Sequence, residues 1–359
     1  MPLSWQRAAA LSFLALPLGL KAERAYQAMP SLPHLSSDDR LPMLSIIVPA
    51  RNEAANLRRL LPLLQELHYP GSYEVVVVDD NSTDRTAAIA AAHGARVISL
   101  ESLPPGWLGK PYACHQGALA AEGEWLLFTD ADTLHAADGP AQAVAYAVQH
   151  RLDGLSIFLR QECKNLVDRL PLTAAFAGLF AGLGRSNKLL NGQYILLRGQ
   201  VYRDSGGFAA VRDEPLEDLA LGDRLSRLGY QVPMMRGEET ANVQMYDSAS
   251  QVWHGMARLG SGALNWSGFG AVLTAVFITA LMSPLITAIG VLTGRLNRKW
   301  LPVTWLAATI SMVNWARRFG SPGWSILAPV GAGLVQAAAI WGLISRLLGR
   351  SLRWKGRRV

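Results

Sequence analysis

Cysteine is nearly absent: Cys114 and Cys163 are the only two in 359 residues. That excludes a disulfide-stapled scaffold and a thiolate metal cluster, and reduced thiols in a cytosol-facing domain are the plain reading. Charge is missing from a long stretch as well. Residues 259–294 contain no Asp, Glu, Lys, Arg or His, so they lack the ionisable groups from which a transporter builds a polar pathway. No internal repeat is visible. No nucleic-acid-binding motif accompanies the net charge of +7, which argues against nucleic acid as a partner. At the N-terminus, the apolar run 8–20 ends in Leu-Gly-Leu-Lys with no small-x-small cleavage site. It is short for a span and is interrupted by Pro17, so residues 1–25 read as an uncleaved anchor or an interfacial helix.

What is present is apolar and unevenly placed. Half of the residues are hydrophobic, the mean hydropathy is +0.16, and the excess collects in residues 259–359. Segments 267–292, 300–315 and 324–345 are candidates for membrane helices, each judged against a requirement of about 20 mostly apolar residues. Arg346, Arg350, Arg353, Lys355, Arg357 and Arg358 follow the last of them, as basic residues do on a cytoplasmic face. Three full spans would leave this tail on the far side. A first segment broken at Pro284 and re-entrant would instead put the 295–299 loop and the tail together in the cytoplasm. The expectation is a multi-pass cell-membrane protein with its soluble domain cytoplasmic.

That domain, residues 43–258, alternates strands and helices. Runs 44–49, 73–78, 96–100 and 125–129 read as strands, and 56–67, 87–93 and 110–122 as helices. The continuous β-branched run at 73–78 suits a strand buried on both faces of a parallel sheet. The order predicts an α/β sandwich around a mostly parallel sheet. Glu53, the 79–84 cluster and the Asp130/Asp132 pair each fall just after a predicted strand, at the edge where open α/β sheets bind ligands. Helix capping accounts for Asn81 or Ser82 as well as ligand binding does. It accounts poorly for Asp130 and Asp132, two carboxylates one residue apart that repel unless a cation joins them. Mg²⁺ or Mn²⁺ shared with substrate phosphates is the natural cation, and it would neutralise a departing diphosphate.

These segments together resemble the family 2 glycosyltransferases with a GT-A fold. The matching stretches are Ser-Ile-Ile-Val-Pro-Ala-Arg-Asn-Glu at 45–53, Val-Val-Val-Asp-Asp-Asn-Ser-Thr-Asp at 76–84, Gly109-Lys110 with Gln116-Gly117, Phe-Thr-Asp-Ala-Asp at 128–132, and Gly206-Gly207-Phe208 followed by Glu217-Asp218. The resemblance implies that Asp80, with Asp79, accepts a hydrogen bond from the base of a UDP-sugar. It places Pro49 and Glu53 beside the nucleotide, Lys110 near the base or diphosphate, and the metal on Asp132 supported by Asp130. Asp218, paired with Glu217, would be the general base that takes the acceptor's proton during an inverting transfer. A helix N-terminus favouring an acidic pair is the alternative for those two, and both can hold.

Where processive polysaccharide synthases carry Gln-x-x-Arg-Trp, this chain has Gln251-Val-Trp-His-Gly255 with Arg258 further on, which favours transfer of a single sugar. Trp253 and His254 either face the substrates or belong to an amphipathic helix at the membrane. Residues 172–183, followed by Arg185 and Lys188, read equally as an interfacial helix beside the site or as an ordinary buried one. The segment 106–118 and the apolar tail are most similar to bacterial carotenoid glucosyltransferases and hopanoid-associated glycosyltransferases. That implies a hydroxylated carotenoid or related terpenoid as acceptor, with diacylglycerol, a sphingolipid, a hopanoid or a polyprenyl phosphate also open. A catalytically inactive nucleotide-binding scaffold is the reading from another class. No protein partner is inferred.

Overall fold

A computed structural model describes residues 5–33, 40–183, 189–262, 269–348, 353–354 and 357–358. The chain begins with α1 (Trp5–Ala10) and α2 (Ala15–Gln27), then β1 (Leu44–Ala50), α3 (Ala54–Gln65), β2 (Tyr73–Asp79), α4 (Thr86–Ala92), β3 (Arg96–Ser99), α5 (Gly109–Ala120) and β4 (Trp125–Thr129). Next come β5 (Thr133–His135), α6 (Gly139–Gln149), β6 (Gly154–Phe158), β7 (Arg160–Gln161), α7 (Leu166–Gly182), β8 (Tyr194–Arg198), α8 (Gly199–Ser205) and α9 (Glu217–Arg227). β9 (Met234–Arg236), β10 (Ala241–Val243), α10 (Ala249–Gly262), α11 (Phe269–Leu292), α12 (Trp300–Arg318) and α13 (Ala328–Leu347) follow. These elements form two compact units. One comprises Met29–Arg160 and Asn187–Met245; the other comprises Met1–Ala28, Gln161–Ser186 and Tyr246–Val359.

The first unit is an α/β sandwich. Its seven-stranded sheet has the order β3-β2-β1-β4-β8-β6-β9. The pairs β1–β2, β2–β3, β1–β4 and β6–β9 are parallel, while β8 runs antiparallel to both β4 and β6. Side chains alternate along each strand, so the sheet feeds two cores. Leu44, Ile46, Val48 and Leu127 pack with Leu57, Leu60 and Ile89 on one face. Ile47, Val76, Val78 and Phe128 pack with Ala113, Cys114 and Leu221 on the other. A Cβ on Gly117 would come 2.4 Å from Ile47 Cγ2, which is why α5 needs glycine to lie so close to β1. Gly206 and Gly207 both have positive φ (79° and 48°). Two consecutive left-handed residues turn the chain sharply after α8 and seat Phe208 edge-on to Phe128, ring centroids 5.1 Å apart.

The second unit is built from helices α1, α2, α7 and α10–α13, with one short antiparallel pair, β11 (Arg353–Trp354) and β12 (Arg357–Arg358). Two assignments differ from the sequence reading of 43–258 and 1–25. Residues 161–186, with α7, and 246–258, at the start of α10, belong with the C-terminal helices rather than with the sheet. Likewise α1 and α2 are grouped with this unit. Small residues explain the association, because they let helices approach closely. A Cβ on Gly178 would come 2.9 Å from Ile278 on α11, one on Gly331 2.4 Å from the Leu170 carbonyl on α7, and one on Gly342 2.0 Å from the Ala257 carbonyl on α10. α7 is the ordinary buried helix of the two alternatives: Leu172, Ala174, Ala177, Phe180 and Ala181 are all buried. Arg185 and Lys188 lie outside the described residues, as do Arg350 and Lys355 of the tail.

The break expected at Pro284 is absent. α11 runs through it for 24 residues, about 36 Å at 1.5 Å per residue. Proline removes the hydrogen bond to the carbonyl four residues back, and here the Ser283 hydroxyl donates to that carbonyl, Ala280 O, at 2.8 Å. The freed group is satisfied and the helix continues. α11 and the segment Pro322–Leu347 are each long and apolar enough to cross a membrane. Of 24 exposed large hydrophobic side chains among the described residues, all but Leu119, Val148 and Leu228 lie in the helical unit. The surface that water would have to cover is therefore concentrated there.

Candidate active site

The parallel strands β1, β2 and β4 end at one edge of the sheet, and the loops beyond them are tied together by polar side chains. After β1, Asn52 adopts a left-handed conformation (φ 53°); after β2, Asn81 does the same (φ 52°), as asparagine tolerates. The Asn52 N–H donates to Ser82 Oγ at 2.9 Å, and the Thr83 N–H donates to Asn52 Oδ1 at 2.8 Å. Arg51 donates to the carbonyls of Asp80 and Asn81. Asp84 joins two helices, accepting from the Ala54 N–H at the start of α3 (3.1 Å) and the Thr86 N–H at the start of α4 (2.9 Å). Burial pushes its carboxyl upward, but hydrogen bonds from the Thr86 side chain and these backbone groups outweigh that and hold it below its ordinary value. Capping thus falls to Asp84 rather than to Asn81 or Ser82. Glu53, Asp79 and Asp80 are buried at this edge. Asp79 Oδ1 accepts from the Ser82 N–H, and Glu53 Oε2 accepts from Asn56. Pro49 is half-buried in β1, paired in register with Val78.

The end of β4 adjoins the start of α5 and of α9. Lys110, the second residue of α5, places its Nζ 2.6 Å from Asp130 Oδ1 and 3.4 Å from Glu217 Oε1. The same ammonium donates to the Gly192 carbonyl at 3.3 Å, and the Gly192 N–H donates to Asp218 Oδ2 at 2.9 Å. The other Asp218 oxygen accepts from the Leu219 N–H at 2.9 Å. Burial works against the Lys110 charge, but Asp130 and Glu217 more than compensate and raise its pKa well above the ordinary value. Glu217 and Asp218 occupy the first turn of α9, so helix-dipole stabilisation holds alongside any chemical role. Asp132 follows in the turn between β4 and β5, half-buried.

The structure therefore brings Asp130, Lys110, Glu217 and Asp218 into one connected group and sets Pro49, Glu53, Asp79, Asp80 and Asp132 along the same strand ends. Among the described residues, no group of three or more His, Cys, Asp or Glu side chains could hold a metal ion by itself. The donor set fits a different arrangement, a hard cation on one or two carboxylates completed by substrate phosphates. Gly192 escaped the sequence reading. Its loop is held from below: Thr129 donates to the Gln193 carbonyl at 3.1 Å and shares a 3.0 Å hydrogen bond with His135 Nε2. Nothing in the local pattern Asn191-Gly192-Gln193 marks it, because its role depends on contacts with residues far away in sequence. Trp253 and His254 pack against Trp341 of α13, ring centroids 6.1 and 5.7 Å apart. His254 Nδ1 also lies 2.7 Å from the Ser250 carbonyl.

With this geometry in hand, the comparisons with known proteins are direct. Residues 45–220 match the family model of glycosyl transferase family 2. The 4,4'-diaponeurosporenoate glycosyltransferase of Staphylococcus aureus (strain MRSA252) is 28% identical over 220 residues, 58% of this chain and 58% of that protein. The match thus spans less than two thirds of that relative. A mannosyltransferase from Pyrobaculum calidifontis, solved in complex with GDP-Man and Mn²⁺, superposes with a TM-score of 0.61 at 20% identity, over 94% of this chain and 97% of that one. At that identity the likeness establishes the fold, which is GT-A-like. Residues 45–220 are thus similar to the glycosyl transferase family 2 domain, and the fold that carries them is GT-A-like.

Proposed function

We propose that the enzyme transfers a single hexose, glucose first among the candidates, from a UDP-sugar to a hydroxyl of a membrane lipid, with a hydroxylated carotenoid or related terpenoid as acceptor. The observation that carries this reading is the Lys110 bridge between Asp130, just after β4, and Glu217 of the Glu217-Asp218 pair. It joins a site suited to a nucleotide diphosphate to one suited to proton abstraction. Asp79 and Asp80 take the base, Pro49 and Glu53 flank the nucleotide, and Asp130 and Asp132 hold Mg²⁺ or Mn²⁺ with the diphosphate. When bound, the ion neutralises charge on the leaving diphosphate. Lys110 adds a second positive charge there. Asp218, its two oxygens oriented by the Gly192 and Leu219 N–H groups, accepts the hydroxyl proton. The acceptor oxygen bonds to the anomeric carbon as the bond to the diphosphate oxygen breaks, inverting that carbon. Glu217 fixes Lys110.

A membrane location is supported by the apolar exterior of the helical unit and its two long apolar helices, with the sheet unit in the cytoplasm, where nucleotide sugars are. The carotenoid acceptor is supported by the S. aureus relative, whose name specifies 4,4'-diaponeurosporenoate. That name also favours a second reading. An -oate acceptor is a carboxylate, which attacks without losing a proton and needs no general base. The test is sugar transfer in liposomes from UDP-glucose, with Mn²⁺, to hydroxylated carotenoids, a carotenoid carboxylate, hopanoids, diacylglycerol and ceramide. Asp132→Ala should abolish every transfer. Asp218→Asn should abolish transfer to hydroxyls and spare transfer to a carboxylate. Failure to bind any nucleotide sugar would defeat the enzymatic reading, and binding with no transfer to any acceptor would favour the scaffold.

A further inference from the structure

Lys110 is an odd choice for its position if the fold alone is considered. It sits in the first turn of α5, a 12-residue helix, where the macrodipole disfavours a cation. Its side chain is only 30% exposed, so burial disfavours the charge as well. Two carboxylates offset these costs, Asp130 at 27% and Glu217 at 7% exposure. The arrangement has one further property. Asp130 directly follows the last residue of β4, whereas the lysine head lies at the end of a flexible four-carbon stem. A divalent ion approaching Asp130 must compete with an ammonium already 2.6 Å from one of its oxygens. A diphosphate arriving with the ion offers that ammonium a new partner, at a helix N-terminus already suited to an anion.

We propose that Lys110 is an internal counter-ion that occupies Asp130 in the nucleotide-free enzyme and yields it to the divalent ion only when a diphosphate takes the ammonium, so that metal and nucleotide bind together and not in succession. The inference rests on the metal-dependent reading above. It also links the two substrates' sites: the Lys110 head that leaves Asp130 is bonded to the Gly192 carbonyl, and the N–H of the same residue orients Asp218.

The experiment is Mn²⁺ binding to the full chain in detergent, read by electron paramagnetic resonance, with and without UDP, for the wild type, Lys110→Met and Lys110→Arg. The wild type and Lys110→Arg should bind Mn²⁺ alone weakly and bind it tightly once UDP is added. Lys110→Met should bind Mn²⁺ alone about tenfold more tightly, about 1.4 kcal/mol, since a positive charge a few ångströms from the ion has been removed. UDP should then add much less than it does in the wild type. The loss of this UDP-dependent gain is the readout that a merely structural lysine would not move. Equal or weaker binding of Mn²⁺ alone by Lys110→Met, in protein whose circular dichroism matches the wild type, overturns the proposal. Absence of Mn²⁺ binding by the wild type even with UDP overturns the metal-dependent reading itself, and this inference with it.

Discussion

Gly192→Ala is the substitution that most directly separates activity from stability in this site. A Cβ there would stand 3.0 Å from Asp218 Oδ2, 3.2 Å from Lys110 Nζ and 3.4 Å from Asp218 Cβ. The first two approaches are a few tenths of an ångström too close, and both obstructed atoms are ends of side chains that can give way. Gly192 has no positive φ, so alanine brings no backbone strain, and the loss of glycine's freedom in the unfolded chain favours folding by about 0.4–1 kcal/mol. The cost falls on the hydrogen bond from the Gly192 N–H to the Asp218 carboxylate. A bond to a charged group contributes about 1.5–3 kcal/mol, which is roughly a 10- to 100-fold loss in rate at the tenfold-per-1.36 kcal/mol conversion. Steady-state transfer from UDP-glucose should therefore show kcat down 10- to 100-fold with the donor KM within about threefold, and thermal unfolding at or slightly above the wild-type midpoint. A kcat within twofold of wild type would refute the claim that this peptide orients the base. A collapse of the unfolding midpoint would refute the claim that the glycine is there for the site.

Four other outcomes follow from the geometry. Asp84→Ala removes the acceptor for the Ala54 and Thr86 N–H groups and should cost about 1–2 kcal/mol, as lost caps do, read as a lower unfolding midpoint of the sheet unit. Arg318 grips Glu23 through two 2.7 Å bonds, both side chains under one-fifth exposed. Arg318→Ala should therefore destabilise the helical unit by about 3–5 kcal/mol in detergent melts, while Glu23→Ala with Arg318→Leu together cost less than either change alone. Burial pushes His135 down to about 4, so the folded chain keeps it neutral while the unfolded chain protonates it. Its contribution to stability is full above the unfolded value of about 6.5 and is lost as pH falls from there towards 4; His135→Gln should flatten midpoint-against-pH curves in that window. Burial raises both thiols, Cys163 to about 12 and Cys114 further. Maleimide should label neither at pH 7 in the native chain and both after denaturation.

The strands nearest the site were legible because they are buried on both faces. Val76, Val77 and Val78 read as a continuous apolar run for the same reason that they contact two cores. The sequence also marked where those strands end, since buried carboxylates such as Asp79 and Asp80 are rare away from a partner or a ligand. What it did not mark was direction and distance. Tyr194–Arg198 carries no sign that β8 runs antiparallel to β4, and three-residue strands such as β5 and β10 are too short to show a period. The continuity of α11 through Pro284 turned on one hydroxyl, that of Ser283. The roles of Asp84 and Gly192 depend on partners about 26–30 residues away or more, beyond any local pattern. The placement of α7 was hidden for the same reason, since its neighbours α11 and α13 come far later in the chain.

That placement has a consequence for biosynthesis. The ribosome completes α7 roughly 90 residues before it begins α11, an interval of roughly 5–20 s at about 5–20 residues per second. For most of that interval a helix whose buried face includes Leu172, Ala174, Ala177 and Phe180 has only α2 of its eventual neighbours available, and α10 joins it late. Meanwhile β6 and β8, which flank it in the chain, must pair with each other across the excursion. The nascent protein thus carries an unfinished apolar helix while its sheet is closing. Moving this segment to the C-terminal end of the chain by circular permutation would remove the wait, because α11 and α13 would then precede it.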